Sequence, residues 1–300
     1  MDNSLRFTLL MGTYNHAKYL PTALDHVLSQ TRPPERIVFF DDGSRDDSFA
    51  LARARFAGDP RVVFVPDADR NMGLLTRMRL ARPLLLPGSF VVQHAGDDML
   101  DRACFARHAE NLSRRAARWS VAAIDAVDEE SGEFLYAIKP DPAVLESAAP
   151  LLERLLRGAP FPPVHGWAYH TALLDEVGGY DPGFAMEDLP LLFRFAARER
   201  PSLTDATVCA VRVRPNQYAR WRGQLPRDAA RLALESVRQH PRAALEYASR
   251  QYMAAATGSA RHRAWADALA DLTRAVALWP VPTAPHFVAP LKKLKTRLVG

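Results

Sequence analysis

Short apolar runs alternate with helical patterns along the first half of this chain, and that alternation restricts its fold more than any other feature. Phe7–Met11 (FTLLM), Arg36–Phe40 (RIVFF), Arg61–Val65 (RVVFV), Phe90–Gln93 (FVVQ) and Ser120–Ile124 (SVAAI) are β-prone. Several are apolar on both alternating faces, as buried parallel strands are. Between them Tyr19, Leu20, Ala23, Leu24, Val27 and Leu28 recur at helical spacing until TRPP, from Thr31, breaks the pattern. Further helices are predicted from about Asp47 and after Gly73. Strand, helix, strand at this period predicts an open α/β sheet with helices on both faces.

The later chain is less regular. DAVDEESGEF, from Asp125, predicts a turn between two sheet segments, and Asp141–Gly158 a helical connection. PFPPVHGW, Pro160 to Trp167, resets the chain; helices are predicted over Thr171–Val177 and from Met186 to about Arg198, separated by the turn GGYDPGF. From Leu225 the pattern is predominantly helical. The predicted division is one α/β domain over 1–224, with halves at about 1–125 and 126–224, and a helical basic extension over 225–300.

Charge and cysteine usage narrow the function classes. From Leu225 onward 12 Lys and Arg stand against 5 Asp and Glu, a balance of +7, while residues 1–224 carry −2. No nucleic-acid-binding motif accompanies this basicity, so nucleic acid is not an expected partner. Leu291, Leu294 and Leu298 share a helical face beside Lys292, Lys293, Lys295 and Arg297, which suits either a solvated terminal helix or contact with anionic lipid. No run of roughly 18 apolar residues and no charged leader is present, and Cys104 and Cys209 make neither a metal spacing nor a disulfide framework. A cytoplasmic, reduced setting is the expectation, with possible peripheral membrane contact.

Ligands of open α/β sheets sit outside the carboxyl ends of the strands. The four exits here are Gly12-Thr13-Tyr14-Asn15, Asp41-Asp42-Gly43-Ser44, Asp69-Arg70-Asn71-Met72-Gly73 and His94-Ala95-Gly96-Asp97-Asp98. Adjacent aspartates at a strand end can cap the next helix, hold a cation, accept a phosphoryl group or accept hydrogen bonds from a polar ligand. Two acidic clusters on one rim would repel by about 1 kcal/mol per close pair unless a cation or donor group compensates. Neither G-x-x-x-x-G-K-[ST] nor G-x-G-x-x-G occurs, so a phosphate ligand would be held by other means.

The ordered series TYNHAKYLPTALDHVLSQT, VFFDDGSRDDS, NMGL, AGDD, VGGYDPGFAMEDLPLLFRFA and VRVRPNQ resembles the family 2 glycosyltransferases, inverting nucleotide-sugar enzymes of the GT-A fold, over roughly Phe7 to Gln217. The resemblance implies a Rossmann-like mixed sheet flanked by helices and transfer of a sugar from a nucleotide-diphosphate donor to a saccharide or lipid-linked saccharide hydroxyl. It implies that Thr13, Tyr14 and Asn15 line the nucleotide site and that Asp41 and Asp42 bond base and ribose. Asn71, Gly73 and Arg77 would meet base or phosphate. Asp97 matches the last acid of a D-x-D metal motif for Mg²⁺ or Mn²⁺, whose first acid is here Ala95, and Asp98 matches the acid that commonly follows it, so the resemblance implies both as metal residues. Glu187-Asp188 matches an acceptor-side acid pair, with Asp188 as general base. His165 and Trp167 would shape the acceptor pocket or pack in the core, and Gln217-x-x-Arg220-Trp221 spells a signature of processive synthases. The alternatives left open are a metal-dependent nucleotidyltransferase and a catalytically degenerate nucleotide-sugar-binding module.

Overall fold

The computed structural model describes residues 4–143, 149–214, 224–261 and 265–278. They form two compact units. One comprises the sheet, from the described residues up to 143 together with Phe161–Pro182 and 198–214; the other is helical, from the described residues of 149–160, Gly183–Ala197 and 224–278.

In the sheet unit, β1 (Phe7–Thr13), β2 (Arg36–Asp41), β3 (Val62–Phe64) and β4 (Phe90–Ala95) are parallel to their neighbours in the order β3-β2-β1-β4. The crossovers carry α1 (Leu20–Leu28), α2 (Ser48–Arg55) and α3 (Leu74–Ala81). Strands β1 and β2 are buried almost throughout, as strands covered on both faces must be. The sheet continues through β8 (Trp167–His170), β6 (Trp119–Asp128), β9 (Ser202–Val213) and β5 (Met99–Leu100), and β7 (Phe134–Ile138) pairs with β6. Strand β8 is antiparallel to both β4 and β6, which makes the sheet mixed. Helices α4 (Cys104–Arg114) and α6 (Thr171–Glu176) complete this unit. The turn predicted within DAVDEESGEF joins β6 to β7, with Gly132 at φ 72°.

Close packing fixes the strand ends. A Cβ at Gly12 would lie 2.3 Å from the Phe40 ring, so glycine alone lets β1 and its β2 neighbour approach in this register. Both cysteines are buried and free, and burial raises both thiols, Cys104 beyond the ordinary range and Cys209 likewise. They are core residues and not ligands.

The helical unit contains α5 (Leu151–Leu156), α7 (Asp188–Ala196), α8 (Gln224–Glu235), α9 (Pro241–Arg261) and α10 (Trp265–Leu278). Leu151, Leu152, Leu155 and Leu156 of α5 and Leu191, Phe193 and Phe195 of α7 are buried, and α5 packs on α7 and α9 while α7 packs on α8. Segments 149–160 and 183–197, which sequence pattern alone attaches to the α/β domain, thus cluster with the C-terminal helices. The apolar faces of α5 and α7 need helical partners, and full burial of each such side chain contributes about 1.5–3 kcal/mol.

Candidate active site

Three strand ends are joined at one rim. Thr13 pairs with Asp41 and Gly12 with Ala95; the Asp42 N–H donates to the Thr13 carbonyl at 3.0 Å and the Gly96 N–H to the Gly12 carbonyl at 2.8 Å. Thr13 is buried, its hydroxyl has no protein hydrogen-bond partner, and a Cβ at Gly96 would stand 2.8 Å from it. Tyr14, by contrast, is exposed beside it.

The loops after β1 and β2 are cross-linked. Asp41 accepts from the Ser44 N–H at 2.7 Å and the Ser44 hydroxyl at 2.6 Å, and Ser44 Oγ accepts the Asn15 N–H at 2.8 Å. Asn15, at φ 55°, returns its side-chain oxygen to the Arg45 N–H at 2.8 Å; asparagine tolerates this left-handed backbone better than most residues. The His16 N–H donates to Ser48 Oγ, and the Ala17 N–H to Asp46. Burial acts to raise the Asp46 pKa, but hydrogen bonds from Ser48 and Ala17 outweigh it and hold the group below its ordinary value.

Asp42 and Arg77 form a different device from the one the sequence suggests. Asp42 accepts from the Met72 N–H at 2.7 Å, the Gly73 N–H at 3.0 Å and Arg77 Nε at 3.2 Å. The Arg77 side chain is wholly buried and also donates to the carbonyls of Pro66, Asp67 and Arg70. The guanidinium has no exposed surface and pins residues 66–73 beside Asp42. Gly43, at φ 73°, lets this loop close, because its Cβ would fall 2.3 Å from the Arg70 backbone. Asn71 remains exposed on the loop.

Asp97 and Asp98 follow β4 but face different partners. Asp98 is buried, accepts the Arg212 N–H at 2.9 Å and lies 3.7 Å from His165 Nε2. Burial and then the Asp97 charge push its pKa well above the carboxylate range. Asp97 Oδ2 is 3.0 Å from Arg214 Nη2, and its Oδ1 is 3.5 Å from His16 Nδ1. Burial lowers the His16 pKa despite the attraction of Asp97, leaving the imidazole neutral near pH 7. Arg214 Nε lies 3.3 Å from Glu129 Oε1.

These residues do not fit the expected Mg²⁺ or Mn²⁺. Such a cation needs charged oxygens at about 2.1 Å, yet the first acid position is Ala95, Asp98 is committed inward and Asp97 is ion-paired. Among the described residues no three His, Cys, Asp or Glu side chains are grouped to hold a metal ion.

The acid pair Glu187-Asp188 opens α7 in the helical unit. Asp228 of α8 accepts the Ala185 N–H at 2.8 Å, and Arg231 donates to the Gly183 carbonyl at 3.0 Å, so α8 holds the segment leading into the pair. Glu187 is buried with one carboxyl oxygen unpartnered. Burial, reinforced by the Asp188 charge, raises its pKa to about 7. A carboxyl tuned this way can exchange a proton near neutral pH; helix capping does not account for it, since Glu187 makes no side-chain cap bond.

The family model for glycosyl transferase family 2 matches residues 8–177, more than half of the chain. The chain belongs to glycosyl transferase family 2. It is similar to the chondroitin synthase of Escherichia coli (29% identity over 31% of this chain and 13% of that protein) and to an uncharacterised glycosyltransferase of Nostoc (24% identity over 59% of this chain and 55% of that protein). It therefore spans little more than half, or much less, of the length of these curated relatives. Among solved structures, residues 1–349 of TarS from S. aureus align with a TM-score of 0.66 at 18% identity, covering 98% of this chain and 89% of that one. A mannosyltransferase from Pyrobaculum calidifontis, in complex with GDP-Man and Mn²⁺, aligns with a TM-score of 0.57 at 20% identity, covering 98% and 86%. These likenesses show the GT-A-like fold of family 2.

Residues 8–177 take in Thr13, Asp41, Asp42, Asp97 and His165, whereas Asp188 and Arg214 lie beyond them. Trp167 is a core residue: it is buried, donates its indole N–H to the Pro162 carbonyl at 3.0 Å and packs edge-on against Trp119. It forms no pocket wall, while His165 keeps an exposed edge. Gln217, Arg220 and Trp221, and the basic face beginning at Leu291, lie outside the described residues. The sequence does not single out His16, Glu129 or Arg214. The alternation in T-V-C-A-V-R-V-R was the available signal, because it predicts a strand carrying Arg212 and Arg214 on one face. Among the described residues no helix is long and apolar enough to cross a membrane.

Proposed function

We propose that this family 2 chain transfers a sugar, with inversion, from a nucleoside-diphosphate sugar to a hydroxyl of a saccharide or lipid-linked saccharide, in polysaccharide or glycolipid synthesis on the cytoplasmic side of a membrane. The observation that carries the reading is the convergence of Thr13, Asp41 and Asp97 at the carboxyl ends of three adjacent parallel strands, where α/β sheets present groups to nucleotides. Thr13 has an unused buried hydroxyl, and Asp41 and exposed Asn71 supply acceptors and donors for a nucleoside.

In the reaction the acceptor oxygen forms a bond to the anomeric carbon as the bond from that carbon to the phosphate oxygen breaks. The bonding pair leaves with the nucleoside diphosphate, and the hydroxyl proton passes to a carboxylate. We assign that proton to Asp188, with Glu187 beside it tuned toward neutrality. The basic tail suits peripheral contact with anionic lipid.

The test is a panel of nucleotide sugars incubated with the chain, followed by release of nucleoside diphosphate with and without saccharide acceptors. Asp188→Asn should lower turnover by at least about 100-fold, as loss of a general base does, while leaving nucleoside-diphosphate affinity intact. Full activity in that variant would favour nucleotidyl transfer, which needs no acceptor-side base. Binding without any turnover in the parent chain would favour the degenerate binding module, the reading that Ala95 supports.

A further inference from the structure

We infer that Arg214 takes the charge-compensating place of a divalent cation at the donor diphosphate, so that this chain binds its nucleotide without added metal. The inference rests on the transferase reading above and deepens it.

Four observations converge on Arg214. Strand β4 ends in Ala95 where a first metal-binding acid would stand, at the register position opposite Gly12. Asp97, the acid that remains at the rim, is bonded to the Arg214 guanidinium at 3.0 Å. That guanidinium is anchored from its other side by Glu129, 3.3 Å from Nε, and the Glu129 N–H in turn donates to the Val213 carbonyl at 3.2 Å. The side chain is nevertheless 43% exposed, so it presents a fixed positive charge at the rim. Arg212 supports it two residues earlier on β9: its guanidinium lies 4.8 Å from the centre of the Tyr19 ring and donates to the Glu129 carbonyl at 3.1 Å.

The chemistry of a guanidinium suits the task. Its planar array of N–H donors meets phosphate oxygens in pairs, and its charge is permanent. As the anomeric bond breaks, negative charge accumulates on the terminal phosphate of the leaving nucleoside diphosphate, and a preorganised cation there stabilises it. Asp97 then acts as a positioning residue that aims Arg214, where the sequence motif suggests a metal ligand. A cation would have to displace Arg214 from Asp97 to enter.

The test uses the full chain freed of metal and measures affinity for UDP, GDP, ADP, CDP and dTDP by titration calorimetry, in EDTA and again with Mn²⁺ or Mg²⁺. The expected result is that at least one of them binds in EDTA with a Kd within about threefold of that with metal. Arg214→Ala and Arg214→Gln should each weaken binding in EDTA by tenfold or more, and Arg214→Lys by less. Because Arg214 is half-exposed at a strand end, unchanged melting temperatures should accompany those losses. Binding that requires Mn²⁺ or Mg²⁺, or wild-type affinity of Arg214→Ala in EDTA, would overturn the inference and leave the transferase reading standing. Failure of all five nucleotides under every condition would overturn both.

Discussion

Replacing Arg77 separates a buried structural tie from a ligand contact. Arg77→Met keeps the bulk of the side chain but removes the guanidinium that bonds Asp42 and the carbonyls of Pro66, Asp67 and Arg70. Removing one partner of a buried ion pair costs about 3–5 kcal/mol because the other charge stays buried. The Met72 and Gly73 N–H bonds to Asp42 survive, which places the expected loss toward the lower end. At roughly 2–4 °C per kcal/mol for a folding unit of this size, a loss near 3 kcal/mol should lower the melting temperature by about 6–12 °C. Arg77→Lys retains the charge but cannot reach all four acceptors, so its loss should be intermediate. Thermal denaturation followed by circular dichroism, with nucleoside-diphosphate affinity measured well below the transition, gives both readouts. A melting temperature within 2 °C of the parent together with lost nucleotide affinity would refute the reasoning, since it would mean that the guanidinium serves the ligand.

Two further outcomes follow from the fold and the acid pair. Glu187 has its folded pKa raised from an ordinary 4.5 to about 7, so the unfolded chain releases this proton first and the folded state loses stability as pH rises through that window, by about 3 kcal/mol once above it. Glu187→Gln should therefore raise the melting temperature at pH 8 and leave it nearly unchanged at pH 4; a difference that does not vary with pH would contradict the burial account. Gly12→Ala places a Cβ 2.3 Å from the Phe40 ring and should cost about 1–3 kcal/mol by overpacking, an effect that Phe40→Leu in the same chain should partly relieve in a urea titration.

The parallel half of the sheet was legible because its strands are nearly continuous apolar runs and its ligand-facing exits are all polar. Strand β9 was not, since Ser202–Val213 is largely half-buried and mixes threonine, aspartate and arginine with apolar residues. With that strand went Arg214, whose meaning depends on an aspartate 117 positions away. Arg77 and Trp167 show the complementary limit. An arginine in a rim segment and a tryptophan after a proline-rich stretch carry ligand-like chemistry, but their burial is decided by partners such as Asp42, 35 residues away from Arg77, and Trp119. The Asp41, Asp97 and Glu187-Asp188 motifs were readable; which of their oxygens were already occupied was a matter of tertiary contact.

The ties between Asn15, Ser44, Asp46 and Ser48 also bear on how donor preference can be redesigned. Residues 13–17 and 41–48 are one heritable module in two pieces of chain, and exchanging either alone with a family 2 relative would leave unmatched backbone donors at the nucleotide end of the sheet. A graft that transplants both together keeps the clasp and changes only what it presents.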